Sequence, residues 1–143
     1  MPLDDAVAVV RRLRAAGHEA FLVGGCVRDI IRGVTPQDFD IVTAARPEQV
    51  RSLFARTVPV GARFGVVLVI EGGRPYEVAT FRVETGYDDG RRPSQVAFAT
   101  AEEDVRRRDF TVNGLLMDPE TGRIIDYVDG RRDIERRLIR TIG

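Results

Sequence analysis

The sequence predicts one α+β domain, and three observations support that prediction. The chain has 143 residues, of which 43% are hydrophobic and 31% are charged, as in globular domains with a single core. Helical and strand-like segments mix without the even βαβ alternation of a doubly wound sheet. No repeat, low-complexity tract or change of composition marks a second domain. We therefore expect a mixed β-sheet of about five strands flanked by helices.

The first half of the chain alternates between helix and strand signals. Apolar residues at helical spacing, from Ala6 to Leu13, predict a helix over residues 4–16. Short apolar runs predict strands, and a proline in the first turn favours a helix that begins at Pro47. The other segments expected here are strands at 20–23, 39–42, 66–70 and 76–82, with helices at 27–32 and 47–54.

The second half begins with a break in periodicity. Residues 84–93 are polar and glycine-rich, which predicts a mobile loop. Helical periodicity then resumes and carries a cluster of arginines. The remaining expected elements are a helix at 102–116, a strand at 124–128, a short helix at 133–137 and an extended segment at 138–142.

The composition excludes several kinds of site. All 22 basic residues are arginine and are balanced by 22 acidic residues, so the chain has neither a Schiff-base lysine nor a P-loop lysine. The single cysteine, Cys26, excludes an internal disulfide and a multi-cysteine metal site. No run approaches the roughly 20 apolar residues of a membrane span, and no signal-peptide pattern begins the chain. We expect a cytoplasmic protein without membrane contact.

A Gly-Gly pair separates the strand at 20–23 from the helix that follows it. Gly24 and Gly25 let the backbone approach a ligand closely, and the start of the helix presents free N–H groups to an anion. Arg28 lies one turn into the helix and can reach the same anion. These features indicate a phosphate site, although the third glycine of a Rossmann fingerprint is missing. A Gly-Gly turn by itself often does no more than reverse the chain.

Two aspartates follow at alternate positions. On a strand, Asp38 and Asp40 would point to one side while Phe39 faces the core. Their mutual repulsion requires a cation, and a pair of Mg²⁺ ions held by carboxylates drives in-line phosphoryl transfer. Glu77 could supply a third carboxylate if the strand expected at 76–82 lies beside the one at 39–42. The alternative is that these acids are solvated residues on exposed strands.

Motifs in a fixed order extend this hypothesis over nearly the whole chain. They are residues 22–29 (LVGGCVRD) with 37–42 (QDFDIV), then 77–82 (EVATFR), 107–113 (RRDFTVN), 126–130 (DYVDG) and 139–143 (IRTIG). Together they resemble the head domain of class II tRNA nucleotidyltransferases and bacterial poly(A) polymerases, within the polymerase-β-like nucleotidyltransferase superfamily. The resemblance implies that residues 1–143 form a head domain. We expect the neck, body and tail domains of the family to be absent from this chain.

The resemblance also implies roles for individual residues. Asp38 and Asp40 would bind two catalytic Mg²⁺ ions, and Glu77 stays the candidate for a third catalytic carboxylate on the strand pattern given above. The residues expected to hold the nucleotide are Gly24, Gly25, Arg28, Arg107, Arg108, Asp109 and Asn113. The loop expected at 84–93 matches the segment that the family uses in switching between CTP and ATP. The alternative for the arginine run is a solvated helix face, with Asp109 in an internal ion pair.

The activity implied by the resemblance is template-independent addition of C or A, from CTP or ATP, to the 3′ end of tRNA. Alternatives of the same class are a poly(A) polymerase acting on other RNA, or an enzyme that adds only C or only A. A different alternative is a nucleotide-binding module that needs a partner chain supplying the neck and body. Minimal nucleotidyltransferases that modify proteins or antibiotics usually carry Gly-Ser before the Asp-x-Asp, so we rank them low.

Overall fold

A computed structural model describes residues 2–61, 65–87, 93–108, 110–137 and 139–142. Within those ranges the chain forms five helices and nine strands. The helices are α1 (Pro2–Ala15), α2 (Gly25–Ile31), α3 (Pro47–Leu53), α4 (Ala101–Arg106) and α5 (Gly130–Glu135), and a 3-10 turn spans Thr111–Asn113. The strands are β1 (Ala20–Val23), β2 (Asp40–Thr43), β3 (Thr57–Gly61), β4 (Val66–Glu71), β5 (Arg74–Thr80), β6 (Arg82–Tyr87), β7 (Pro93–Phe98), β8 (Leu115–Met117) and β9 (Ile124–Asp126).

Seven of these strands form one sheet, in the order β3-β4-β5-β2-β1-β8-β9. Neighbouring strands are antiparallel except β2 and β5, which run parallel at the centre of the sheet. β6 and β7 pair with each other as a separate antiparallel ribbon. The parallel pair matters for the site, because it brings Asp40, at the start of β2, opposite Glu77, which is distant in sequence.

The sheet separates two groups of buried side chains, and β2 shows the alternation. Ile41 packs in the larger group, together with side chains of α1 and α3, whereas Val42 packs in the smaller group, which includes Val105 of α4. Phe39 is 6% exposed and belongs to the larger group, as predicted. Burial of apolar surface on both faces stabilises the central strands and so fixes the position of Asp40 at the start of β2.

The prediction of an α+β domain is confirmed, with two strands more in the main sheet than expected. The five predicted strands correspond to β1, β2, β4, β5 and β9, and β1 has the predicted bounds. The additional strands are β3 and β8. β3 contains Pro59, which lacks a backbone N–H, and this strand accordingly lies at the edge of the sheet.

The helix predicted over residues 102–116 is wrong in its second half. α4 ends at Arg106, and the chain then forms the 3-10 turn and β8. Leu115 is buried in the larger group of side chains and Leu116 in the smaller one. Adjacent residues that face opposite sides of a sheet require the twofold period of a strand, which a helix cannot provide.

The loop predicted at 84–93 is wrong at both ends. β6 extends through Tyr87, and β7 begins at Pro93. Residues 88–92 lie outside the described part of the chain. The strand predicted over 76–82 is also divided, since β5 ends at Thr80 and β6 begins at Arg82.

None of the described helices is long and apolar enough to cross a membrane. The cytoplasmic location stays a prediction.

Candidate nucleotide-binding site

The turn between β1 and α2 places backbone beside a carboxylate. Gly24 has φ 79° and ψ −142°, a conformation that glycine adopts far more readily than other residues. A methyl group on Gly24 would lie 4.0 Å from Oδ2 of Asp40, and one on Gly25 would lie 3.4 Å from Nη2 of Arg28. Because α2 has only seven residues, arginine side chains rather than a long helix dipole supply most of the positive charge here.

A cavity of about 340 Å³ opens at this turn. Its walls come from the β1–α2 turn, the start of β2, the segment after α4 and the 3-10 turn. The lining residues are Gly24, Gly25, Arg28, Asp40, Arg107, Arg108 and Asn113. All seven are site residues predicted from the sequence, and the structure brings them together. Their roles in binding stay predictions.

Asp40 stands directly opposite Glu77 in the parallel pair of β2 and β5. Two residues further along each strand, Val42 and Ala79 both pack in the smaller buried group. Since residues i and i+2 of a strand share a face, the side chains of Asp40 and Glu77 lie on that same face of the sheet. The strand that carries Glu77 therefore lies beside β2, as the prediction of a third carboxylate required.

Asp38 precedes β2, which begins at Asp40. It lines a second cavity of about 200 Å³, together with Gln37 and Arg74. The two aspartates therefore border different cavities, although they are only two residues apart. Glu77 lines neither of these two cavities.

The acids influence one another electrostatically. The pKa of Asp40 is raised, first because protein atoms desolvate its carboxyl group, although the residue as a whole is exposed. The like charge of Glu77 is the second cause, Asp38 adds a smaller effect in the same direction, and the Arg108 guanidinium opposes them. A cation bound at Asp40 would offset the repulsion among the three carboxylates.

These acids suit a hard divalent cation that is shared with a ligand. Across the described ranges, no three Asp, Glu, His or Cys side chains are grouped closely enough to hold a metal ion by themselves. Mg²⁺ is commonly held by one or two carboxylates together with substrate phosphates, rather than by an all-protein cage. The repulsion at Asp40 and the arginines beside it fit that mode of binding.

Arg107 and Arg108 reach the cavity from the segment just after α4. Both are bound by the carboxylate of Asp104, which is fully buried: Arg108 Nη2 donates to Oδ1 at 3.1 Å and Arg107 Nη2 to Oδ2 at 3.5 Å. Asp104 was not among the site residues predicted from the sequence. Its spacing of three and four residues from the two arginines is the signal that indicates such a contact on a helical turn.

Arg28 connects α2 to the 3-10 turn. Its Nη1 donates to Oδ1 of Asn113 at 3.1 Å, and its Nε and Nη2 donate to Oδ1 of Asp29, each at 3.3 Å. Asp109 lies outside the described residues, so its predicted place beside the nucleotide stays a prediction.

A side chain of α5 holds the 3-10 turn that carries Asn113. The hydroxyl of Thr111 donates to Oδ2 of Asp133, which is 3% exposed, and Nε of Arg140 donates to the same oxygen at 3.0 Å. The Thr111 hydrogen bond is the largest cause of a lowered pKa at Asp133, and the charge of Arg140 adds to it. Gly130 allows the close approach, because a methyl group there would collide with the carbonyl oxygen of Thr111.

Cys26 lies next to the glycine turn but is not an activated nucleophile. Burial raises the pKa of its thiol to about 11, and Sγ donates to the carbonyl oxygen of Val23 at 3.3 Å. At neutral pH the side chain is therefore a thiol that packs in the core rather than a reactive thiolate.

Residues 20–140 match the family model described as the poly A polymerase head domain. The chain belongs to this family. The matched range contains every residue that lines the 340 Å³ cavity. A curated relative, the CCA-adding enzyme of Geobacillus kaustophilus (strain HTA426), is 48% identical over 143 residues, which are 99% of this chain and 35% of that protein.

Solved structures of similar proteins show the same head fold. The crystal structure of the Bacillus stearothermophilus CCA-adding enzyme in complex with CTP has a TM-score of 0.89 and 41% identity, covering 99% of this chain and 34% of that one. A tRNA nucleotidyltransferase complexed with a primer tRNA and an incoming ATP analog has a TM-score of 0.75 and 31% identity, covering 94% and 39% of the two chains. The chain thus spans about a third of the length of the curated relatives it matches.

Proposed function

We propose that this head domain transfers a nucleoside monophosphate from CTP or ATP to the 3′-hydroxyl of tRNA, as in CCA addition. The observation that carries the proposal is the cavity in which Asp40 stands beside the Gly24 turn and three arginines, directly across from Glu77 on the neighbouring strand. Membership of the poly A polymerase head domain family supports the reaction class. Similarity to CCA-adding enzymes, one of them solved with CTP, supports the choice of substrates.

The triphosphate would occupy the 340 Å³ cavity. Arg28, Arg107 and Arg108 line it, and their planar guanidinium groups suit phosphate oxygens. Gly24 leaves the backbone open to close approach, since it has no side chain between the turn and the ligand. Asn113 accepts a hydrogen bond from Arg28 through Oδ1, which leaves its amide N–H groups to bind a sugar or a base edge.

Asp38 and Asp40 are the residues that would hold two Mg²⁺ ions, with Glu77 as the neighbouring carboxylate. When bound, such ions lower the pKa of an attacking hydroxyl and stabilise the charge on the leaving pyrophosphate. The 3′-hydroxyl oxygen forms a bond to the α-phosphorus and gives up its proton to water. The bond from that phosphorus to the bridging oxygen of the β-phosphate breaks, and pyrophosphate leaves with the electron pair.

The protein contributes by positioning the triphosphate and by neutralising its negative charge. The arginines restrain the triphosphate while the start of β2 holds Asp40 beside it, so that the reacting atoms meet in one orientation. The positive charge at Arg28, Arg107 and Arg108 also opposes the negative charge that the phosphates bring close to the acids. No covalent intermediate with the protein is needed, in agreement with the protonated state of Cys26.

The test is incubation of the purified chain with Mg²⁺, labelled CTP or ATP, and tRNAs that end before CCA, after C and after CC, with a generic RNA alongside. Defined addition of C or A to the tRNAs alone would support the proposal. Runs of A on every RNA would indicate a poly(A) polymerase instead. Mg²⁺-dependent CTP binding without any addition would indicate a nucleotide-binding module that needs a partner for transfer.

A further inference from the structure

A single buried carboxylate organises one wall of the cavity. Asp104 has no exposed surface, and α4 begins just before it with a capping box in which Glu103 N–H donates to Thr100 Oγ1 at 3.2 Å. The acids of this first turn differ in position: Glu102 is exposed and pairs with Arg106 at 3.1 Å, whereas Asp104 faces the interior. Burial of an isolated carboxylate is costly, so its partners must compensate for the lost hydration.

The partners of Asp104 are two cavity arginines and one backbone group. Oδ1 accepts from Arg108 Nη2 at 3.1 Å, and Oδ2 accepts from the Arg82 backbone N–H at 2.9 Å and from Arg107 Nη2 at 3.5 Å. Arg107 Nε also donates to the carbonyl oxygen of Arg82 at 3.1 Å. Both guanidinium groups are therefore connected to Arg82, at the start of β6. Arg107 bonds it directly, and Arg108 is connected to it through Asp104.

Arg108 keeps one donor unused. Its Nε is buried and has no hydrogen-bond partner among the residues that the structure describes, although the side chain lines the cavity. A buried donor without a partner is costly, so the other contacts of this side chain must hold it in this orientation. The Arg108 charge also acts on Asp40, which places this guanidinium near the acids as well as near the glycine turn.

We infer that Asp104 is a positioning residue, which holds Arg107 and Arg108 in the orientation that receives the triphosphate of the nucleotide. The inference rests on the proposed function. A free arginine loses rotamer entropy when it is immobilised, and two adjacent guanidinium groups repel each other. A buried carboxylate that has already fixed both of them removes part of this cost from ligand binding.

The decisive comparison is the affinity of the parent chain and of Asp104→Asn for CTP in the presence of Mg²⁺, measured by calorimetry. The substitution removes one negative charge from the cavity wall. If charge alone mattered, CTP would bind more tightly. Positioning predicts the opposite, with CTP about tenfold weaker and CMP, which lacks the β- and γ-phosphates, changed by less than about twofold; tenfold corresponds to about 1.4 kcal/mol.

Glu102→Gln is the matched control. It removes the same charge from the same helix at an exposed position, and we expect CTP affinity within about twofold of the parent. If Asp104→Asn binds CTP as tightly as the parent does, or more tightly, the inference is wrong. The proposed function is not affected by that result. If CTP binding depends on Asp104 but the chain transfers no nucleotide, the proposed function is wrong and the inference is supported. Absence of CTP binding by the parent overturns both.

A second variant keeps the test valid if Asp104→Asn unfolds. Arg108→Ala leaves Asp104 bound to Arg107 and Arg82, and we expect it to weaken CTP about tenfold while the thermal transition is retained. In that background, Asp104→Glu should cost less CTP affinity than it costs in the parent, since one of the two arginines through which it acts is gone. Equal losses in the two backgrounds would contradict positioning through Arg108.

Discussion

Asp40 and Glu77 stand opposite each other on the parallel strands β2 and β5, at the same end of the sheet. They are 37 positions apart in the sequence, and the only parallel pair among the described strands of the sheet brings them together. The arrangement concentrates negative charge beside a cavity lined by three arginines. Acids on rigid central strands, with arginines beside them, suit a ligand that combines a cation with phosphates.

The Asp-x-Asp pair supplies the first prediction. Asp38→Ala and Asp40→Ala should each lower Mg²⁺-dependent nucleotide transfer by about 100-fold or more, because each removes a ligand for the ions that activate the hydroxyl and stabilise pyrophosphate. Initial rates of label incorporation into tRNA measure the effect. Glu19→Ala is the control, since Glu19 is an exposed acid at the opposite end of β1. Transfer that survives either aspartate substitution would rule out this role.

The second prediction concerns the backbone of Gly24. Gly24→Ala should cost about 1–3 kcal/mol of unfolding free energy, because alanine resists φ 79°. It should also weaken CTP binding, since relaxation of this strain moves the turn that lines the cavity. Gly73→Ala is matched in φ, which is 78° there, and no neighbour lies within 4 Å of the added methyl group. Denaturant titration should show losses in both variants, and calorimetry should show weaker CTP binding only for Gly24→Ala.

The third prediction separates charge from geometry at Arg28. Arg28→Lys keeps the charge but loses the planar fork that donates to Asn113 and faces Gly25. We expect CTP affinity to fall about three- to tenfold, an effect of roughly 1 kcal/mol. Arg32→Lys, one turn further along and exposed, should bind CTP as the parent does. Equal affinities for the parent and Arg28→Lys would show that this arginine acts only as a point charge.

The fourth prediction is a pH dependence of stability at Asp133. Its pKa in the folded protein lies below the unfolded value, chiefly because Thr111 donates to the carboxylate. The stabilisation is therefore fully present above the unfolded pKa and is lost as pH falls through the folded one. Asp133→Asn should be less stable than the parent at pH 7, and the difference should shrink below about pH 4.

Denaturant unfolding at pH 7, 5 and 3 measures this difference. Glu135→Gln, an exposed change on the same helix, should follow the parent at every pH. A gap between Asp133→Asn and the parent that stays constant down to pH 3 would contradict the assignment.

The sequence predicted most of the central sheet, because β1, β2 and β4 contain short apolar runs and the segment that forms β5 shows strand-like alternation. It failed at Leu115 and Leu116, where two adjacent leucines after a helical start fit a helix as well as a strand. Only packing on both faces of the sheet distinguishes the two. The short edge strand with Pro59 carried too weak a signal to be predicted.

The residues of the candidate site were predicted from motifs that occur in a fixed order along the chain. The contacts among those residues were not predicted. The register that places Glu77 opposite Asp40 depends on a parallel pairing between distant segments, which local patterns do not encode. The burial of Asp104 was also missed, since an acid that follows Glu102 and Glu103 reads as part of a solvated first turn. Burial is set by the packing of α4 against the sheet, and the arginines complete it.

The most direct test of the account is the calorimetric affinity of the chain for CTP with Mg²⁺ and with EDTA, in the parent and in Asp40→Asn. We predict that Mg²⁺ tightens CTP binding by the parent about tenfold or more, and that Asp40→Asn, still folded by circular dichroism, loses this gain. CTP affinity that is the same in Mg²⁺ and EDTA, or a gain that persists in Asp40→Asn, would contradict a metal-dependent nucleotide site at the start of β2.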